Sequence, residues 1–287
     1  MSKDNKQKRG QFKEAWIRLR INRAAMFGLS VIILLIIMAV FAPLIAPYGY
    51  DEQHLKMANL LPSWRHLMGT DNFGRDIFSR IIYGSRVSLQ VGFIAVGIGV
   101  LIGGTLGSIS AYYGGIVDNV IMRFIDTLLA IPGTLLAISI AAALGPGLTN
   151  AMIAVGVGTV PTYARVVRAS VLTVKEQEFI EAAKCIGVKD YKIIIKHILP
   201  NAMAPLIVQA TLGVASAILS AAALSFIGLG IQPPTPEWGA MLSAGRVYIR
   251  DYWHIVTFPG VTIMITIFSL NLFGDGLRDA LDPRLKR

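Results

Sequence analysis

VSLQVGFIAVGIGVLIGGTLGSISAYYGGIV, residues 87–117, contains no Asp, Glu, Lys or Arg. A helix rises about 1.5 Å per residue, so a stretch of this length more than covers the roughly 30 Å hydrocarbon core of a bilayer. A soluble helix so long would carry a charged face for water. Four further runs share the property, at 24–47, 127–164, 198–236 and 255–274. Over the 287 residues 15% are charged and 54% hydrophobic, where soluble domains carry about 25% charged residues. The chain therefore reads as an integral membrane protein.

Two of the uncharged runs exceed one crossing. Gly145-Pro146-Gly147 is a turn signal that divides 127–164. The glycines and prolines from Gly228 to Pro236 mark the end of a span and an outer loop. Six spans are expected, near 25–46, 87–112, 118–144, 148–168, 204–228 and 255–275. Lys and Arg counts orient them. With the N-terminus inside, the inner segments (1–23, 123, 165–196 and 278–287) carry 20 and the outer segments (47–86 and 229–254) carry 7, which accounts for all 27. This bias places both termini in the cytoplasm. The first run is longer than a signal-peptide core and no A-x-A-like cleavage site follows it, so it is read as a retained anchor. In the second span Gly99, Gly103 and Gly107 recur every four residues, the spacing that lets helices pack closely in lipid. The Ala- and Ser-rich fifth span, around Ala215–Ala223, supports the same packed bundle.

The net charge of +10 suits anionic headgroups, and no nucleic-acid motif supports the other common reading of a basic chain. In residues 12–23, Phe12, Trp16 and Leu19 share one helical face among basic residues, which suits either a helix at the membrane surface or a solvated basic tail. Cys185 is the one cysteine, so no intrachain disulfide forms. His54, His66, His197 and His254 are scattered, with no H-E-x-x-H or Cys/His cluster for a metal. No G-x-S-x-G occurs, which weakens a serine-hydrolase reading without removing an intramembrane protease. No G-x-x-x-x-G-K-[ST] phosphate loop occurs either, so energy from ATP would have to come from another chain. A stand-alone ion-coupled transporter would carry ionisable residues in mid-span, and these span centres are uncharged.

Residues 170–201, SVLTVKEQEFIEAAKCIGVKDYKIIIKHILPN, form the most informative loop. Thr173 and Glu176 have capping-box spacing and predict a helix start. Phe179, Ala182, Ala183 and Ile186 then fall on one face, and Gly187 can end the helix in a left-handed conformation. Asp190 can cap a second short helix whose face is Tyr191, Ile194, Ile195 and Ile198 and which Pro200 would end. Such a pair is too short to fold alone, so its apolar faces need the bundle, the lipid surface or another protein.

Glu181-Ala182-Ala183, three residues, Gly187 and then Ile198-Leu199-Pro200 resemble the EAA loop of bacterial and archaeal ABC importer permeases. HILPN at 197–201 is similar to the peptide and nickel branch of that family. So are MGTDNFGRDIFSRIIYGSRVSL at 68–89, FIGLGIQPP at 226–234, EWG at 237–239 and GDGLRDALDPR at 274–284, which together resemble the C-type permease of dipeptide and oligopeptide importers. The resemblance implies an all-α, type I importer permease with six transmembrane helices in the inner membrane, forming half of a pathway and not itself an enzyme. It implies a second homologous permease, two cytoplasmic ATPases that hold ATP and magnesium, and an extracytoplasmic substrate-binding protein, with no cofactor or metal on this chain. Nickel or another small solute is the alternative cargo. Glu181, Ala182, Ala183, Gly187, Ile198, Leu199 and Pro200 would form the ATPase-coupling loop. Glu181 would meet the ATPase, or else bond within its own loop.

The implied organisation is a basic tail at 1–23, a first span at 24–47, an extracytoplasmic segment at 48–86, a five-helix core at 87–280 and a tail at 281–287. The core includes the coupling loop 170–201 and an outer loop 229–254. In the outer segment Asp71, Arg75, Asp76, Arg80 and Arg86 cluster; they would dock the binding protein or gate the pathway, or else clasp a surface helix, with Asp76 and Arg80 paired at i, i+4. Asp118, Arg123 and Asp126 sit near the inner end of the third span, where they would mark the pathway, or else Arg123 and Asp126 would neutralise each other near the headgroups. Gln209 and Asn271 are lone polar residues within spans, placed to bond across helices or to line a route.

Overall fold

The computed structural model describes residues 11–281 and contains helices and turns, with no strand among the described residues. The rest of the basic tail and the end of the C-terminal tail, with the last residues of the GDGLRDALDPR block, lie outside them. Helix α1, Gln11–Ile21, leads into α2, Arg23–Val40, across Asn22, whose side chain accepts from the Ala25 amide at 3.1 Å and caps α2. The next long helix, α3, runs over Ile77–Tyr113. Then come α4, Gly115–Leu129, and α5, Gly133–Leu144, followed by α6, Leu148–Lys175, and α7, Glu178–Cys185. The second long helix, α8, spans Asp190–Phe226. Short α9, Trp238–Gly245, precedes α10, His254–Leu281.

Helices α2, α3, α8 and α10 are long and apolar enough to cross a membrane, and the α4–α5 pair would add a fifth if its halves form one broken span. The continuous third span expected at 118–144 is bent by 87°. Pro132 lacks the amide that would continue the hydrogen-bond ladder and restricts Ile131 before it, so the chain turns there. The expected fourth span lies in α6, whose Asn150, threonines, Pro161 and Arg165 lower its hydropathy. It sits at the centre of the bundle, with Ala151, Ala154, Val155, Val160, Tyr163, Ala164, Val167 and Val171 buried.

Close approach between helices follows the small residues. A Cβ on Gly99 would overlap the Thr159 hydroxyl, one on Gly103 the Val160 carbonyl oxygen and one on Gly107 the Ala164 carbonyl oxygen. The four-residue glycine repeat of α3 is thus the seam against α6. Gly28 of α2 meets the α10 backbone at Ser269 in the same way. Around Gly99–Gly103 the backbone of α3 widens into a π-helical stretch, a feature that recurs at functional sites.

Leu19 and Ala15 of α1 pack on Ala25 and Ala280, while Trp16, Ile17 and Ile21 stay exposed. Leu19 and Trp16 therefore do not share one buried face.

Candidate functional site

The loop around Gly187 forms an elbow, but its parts differ from the pattern expected of them. Thr173 does not open a helix: α6 continues to Lys175, and the Thr173 hydroxyl donates to the Ala169 carbonyl at 3.2 Å. Val167, Val171 and Val174, at i, i+4, i+7, keep one face buried and carry the helix through the supposed boundary. Helix α7 starts at Glu178 and ends in a Schellman turn. The Val188 amide donates to Ala183 at 3.1 Å and the Gly187 amide to Lys184 at 3.0 Å, with Gly187 at φ +77°. A Cβ at Gly187 would meet nothing within 4 Å, so the torsion and not crowding calls for glycine.

The buried face of α7 is Ile180 and Ala183; of the expected set Ala183 alone is buried, and Ile180 takes the place of Phe179. Phe179, Ala182 and Ile186 point outward, the last 80% exposed. In α8, Ile193 and Ile198 are fully buried while Tyr191 and Ile195 are exposed. A π-helical stretch over Ile193–Ile198 brings residues five apart onto one face and shifts the register. Pro200 does not end this helix. The widened turn before it accommodates the missing amide, the Asn201 side chain donates to the His197 carbonyl at 2.7 Å, and α8 runs on to Phe226. Leu199 is half-buried and Pro200 exposed. Glu181 is exposed, with no hydrogen bond or ion pair among the described residues, so the bond within its own loop is not formed. The elbow thus has a buried root and an outer surface on which Phe179, Ala182, Ile186, Tyr191 and Ile195 stand among exposed charges, Glu178, Glu181, Lys184 and Lys192 included.

Two ion pairs tie α4 to α6 beside the elbow. Asp118 receives two hydrogen bonds from Arg168, at 2.7 and 2.6 Å, and one from Ser110 of α3. Asp126 pairs with Arg165 at 2.6 Å and not with Arg123, which has no ion pair among the described residues. The local i, i+3 spacing of Arg123 and Asp126 loses to a partner on the adjacent helix.

At the other end of the bundle the charged residues of 71–86 are mostly buried. Asp71 accepts from the Phe73 and Arg75 amides and, at 2.7 Å, from Arg75 Nε; Arg80 Nε lies 3.7 Å from the same carboxylate. Asp76 caps α3 through the Ser79 amide at 2.7 Å and lies 2.9 Å from His66 Nδ1, so it is not the partner of Arg80. Arg80 donates to the Tyr50 carbonyl at 2.7 Å, and Arg86 to the Val40 carbonyl at 2.7 Å and to Ala39, holding the last carbonyls of α2. Asp71, Arg75, Asp76 and Arg80 are each at most 6% exposed, and their hydrogen bonds and ion pairs join the loop to α3. Removing one partner strands a buried charge. Asp71→Ala is expected to destabilise the folded chain by roughly 3 kcal/mol, read as a lower melting temperature in detergent.

The Gln209 backbone carbonyl accepts from the Tyr163 hydroxyl at 3.4 Å, and Asn271 is exposed on α10; the two side chains make no hydrogen bond among the described residues. Sequence reasoning missed Glu237, which is 1% exposed and accepts from the Gly239 and Ala240 amides at 2.9 and 2.7 Å, capping α9 beneath fully buried Trp238. Its place as a helix cap directly before an apolar segment was the available signal.

Residues 99–287 match the pattern of the family described as binding-protein-dependent transport system inner membrane component. The chain belongs to that family. Residues 10–62 also match the N-terminal transmembrane domain of oligopeptide transport permease C. This permease is 51% identical to the dipeptide transport system permease protein DppC of Alkalihalophilus pseudofirmus, over 96% of this chain and 90% of the relative. It is 46% identical to the di/tripeptide transport system permease protein DppC of Pseudomonas aeruginosa, over 96% and 92%. It is 47% identical to the glutathione transport system permease protein GsiD of Escherichia coli O157:H7, over 98% and 93%. A solved chain of the MetNI methionine ABC transporter, in an inward-facing conformation, superposes with a TM-score of 0.58 at 20% identity, covering 72% of this permease and 98% of that chain. The fold is accordingly that of an ABC importer permease. The chain is a multi-pass inner-membrane transport subunit of the C-type peptide branch, not an enzyme.

Proposed function

We propose that this chain is one of two permease subunits of an ATP-driven importer of di- or oligopeptides, and that the Gly187 elbow is its coupling element. The outer face of that elbow carries the reading. Phe179, Ala182, Ile186, Tyr191 and Ile195 are exposed beside Glu181, which has no hydrogen bond or ion pair among the described residues, on a root held by buried Ile180, Ile193 and Ile198. An exposed apolar face on a rigid mount is suited to another protein. In this arrangement α2, α3, the bent α4–α5 pair, α6, α8 and α10 make six crossings with both termini cytoplasmic, as the Lys and Arg bias favours. A homologous permease supplies the other half of the pathway. Two cytoplasmic ATPases hold ATP and magnesium and grip the elbows, and an extracytoplasmic binding protein delivers cargo. Closure of the ATPases on ATP would push the elbows, and the bundles would rock to expose the pathway to each side in turn. The relatives named for dipeptides, for di- and tripeptides and for glutathione, itself a tripeptide, support short peptides as the cargo class.

Affinity purification of the tagged chain in mild detergent tests the assembly. Co-isolation of two nucleotide-binding proteins and a second permease is expected. Recovery of a lone homo-oligomer that transports without ATP would contradict the proposal.

A further inference from the structure

Tyr112 is the penultimate residue of α3 and is 6% exposed. Its hydroxyl donates to Asp190 Oδ1 at 2.7 Å, at the first residue of α8. Two ammonium groups flank its ring: Lys184 Nζ of α7 lies 5.6 Å and Lys175 Nζ of α6 5.9 Å from the centroid, within the range of a cation–π attraction. Lys175 also donates to the Ala111 carbonyl at 3.1 Å. One side chain therefore touches all three helices that build the elbow. Just beyond it Gly114, at φ +66°, ends α3.

The two helices joined by the Tyr112–Asp190 bond share a second property. Each carries a π-helical stretch, over Gly99–Gly103 in α3 and over Ile193–Ile198 in α8. Wide turns of this kind are frequent at functional sites. A displacement of the elbow would reach α8 along the backbone, through its own π stretch. It reaches α3 across Tyr112.

We propose that Tyr112 is a positioning residue for transport, a latch whose hydroxyl, held by Asp190, passes movement of the elbow to the inner end of α3. The assignment rests on the coupling role proposed above for the elbow. A phenylalanine keeps the ring between the two lysines and removes only the bond to Asp190. An asparagine at 190 keeps an oxygen acceptor for the hydroxyl, whereas alanine does not.

The test uses the whole complex, with both permeases, both ATPases and the binding protein, reconstituted in liposomes. ATP hydrolysis and uptake of an equimolar pool of dipeptides and tripeptides are measured together. Tyr112→Phe and Asp190→Ala are each expected to lower peptide taken up per ATP hydrolysed about fivefold, the size of an ordinary net hydrogen bond, because Asp190 is open to water. Asp190→Asn should restore most of the ratio, and the Tyr112→Phe/Asp190→Ala pair should be no worse than either single change. A structural role alone would reduce the yield of assembled complex and leave the ratio of the assembled fraction at the wild-type value, and that result would overturn the latch. An assembled wild-type complex that hydrolyses ATP without any peptide uptake, or hydrolyses none, would overturn the importer reading and the latch with it.

Discussion

Gly103→Leu is expected to remove most of the folded chain from the membrane. The first atom of any side chain at this position overlaps the Val160 carbonyl oxygen and crowds the Ala164 amide of α6. These are backbone atoms inside a helix and cannot rotate away, so α3 and α6 must separate. The same seam holds Gly99 against Thr159 and Tyr163, and Gly107 against Ala164, so separation at the middle loosens both ends. In lipid no hydrophobic force recloses two helices, because the tails are as apolar as the side chains; van der Waals fit is the main restoring term. Overpacking a well-filled core costs about 1–3 kcal/mol, and a collision with backbone belongs at or above the top of that range. The measurement is the amount of monodisperse protein recovered in detergent and its melting temperature. Gly97→Leu is the control. It lies on the same helix with nothing within 4 Å of an added Cβ, and it should behave like the wild type. Equal recovery of both variants would show that the seam is not as close as described.

Gly187→Val is expected to leave insertion intact and to abolish uptake and ATPase stimulation. No atom lies within 4 Å of a Cβ here, so the added bulk collides with nothing. The cost is torsional: valine at φ +77° is strained by about 1–3 kcal/mol, comparable to the two hydrogen bonds that close the Schellman turn. The chain relieves the strain by opening the turn, and α7 then loses its fixed angle to α8. Ile180 and Ala183 lose their seat, and the outer face no longer meets a partner in register. Gly187→Asn, a residue that tolerates the left-handed region, should retain a measurable part of the activity. Glu181→Lys separates contact from geometry. Its side chain is exposed and has no hydrogen bond or ion pair among the described residues, so stability should be unchanged while uptake is lost. Normal uptake and ATPase stimulation in Gly187→Val and Glu181→Lys would count against the elbow as the coupling element.

These two glycines also show how much of the molecule can be read before folding. The membrane class was legible because uncharged runs such as 87–117 have one physical solution, and the α3–α6 seam because Gly99, Gly103 and Gly107 repeat at the helical period. Gly187 was legible as a stop because glycine alone enters φ +77° without strain. The break at Pro132 was written in Ile131-Pro132-Gly133 but masked by the absence of charge across 127–164. The buried faces of the elbow were harder. Apolar residues occur on both sides of α7, so periodicity did not choose between Phe179 and Ile180, and the π stretch over Ile193–Ile198 departs from the 3.6-residue period on which such readings depend. Pro200 misled for the same reason, since a widened turn lets a helix pass through a proline. Least legible were the pairs around the elbow: Asp118 with Arg168 and Tyr112 with Asp190. Their partners are set by how helices meet, and nothing local in the sequence announces them.

Cys185 gives direct access to the central claim, being the one cysteine of the chain and exposed in α7. A benzophenone attached to it through a maleimide, irradiated in native membranes during active uptake, is expected to yield an adduct with a nucleotide-binding subunit. Adducts confined to lipid throughout the transport cycle would contradict the elbow as the point where the motor takes hold.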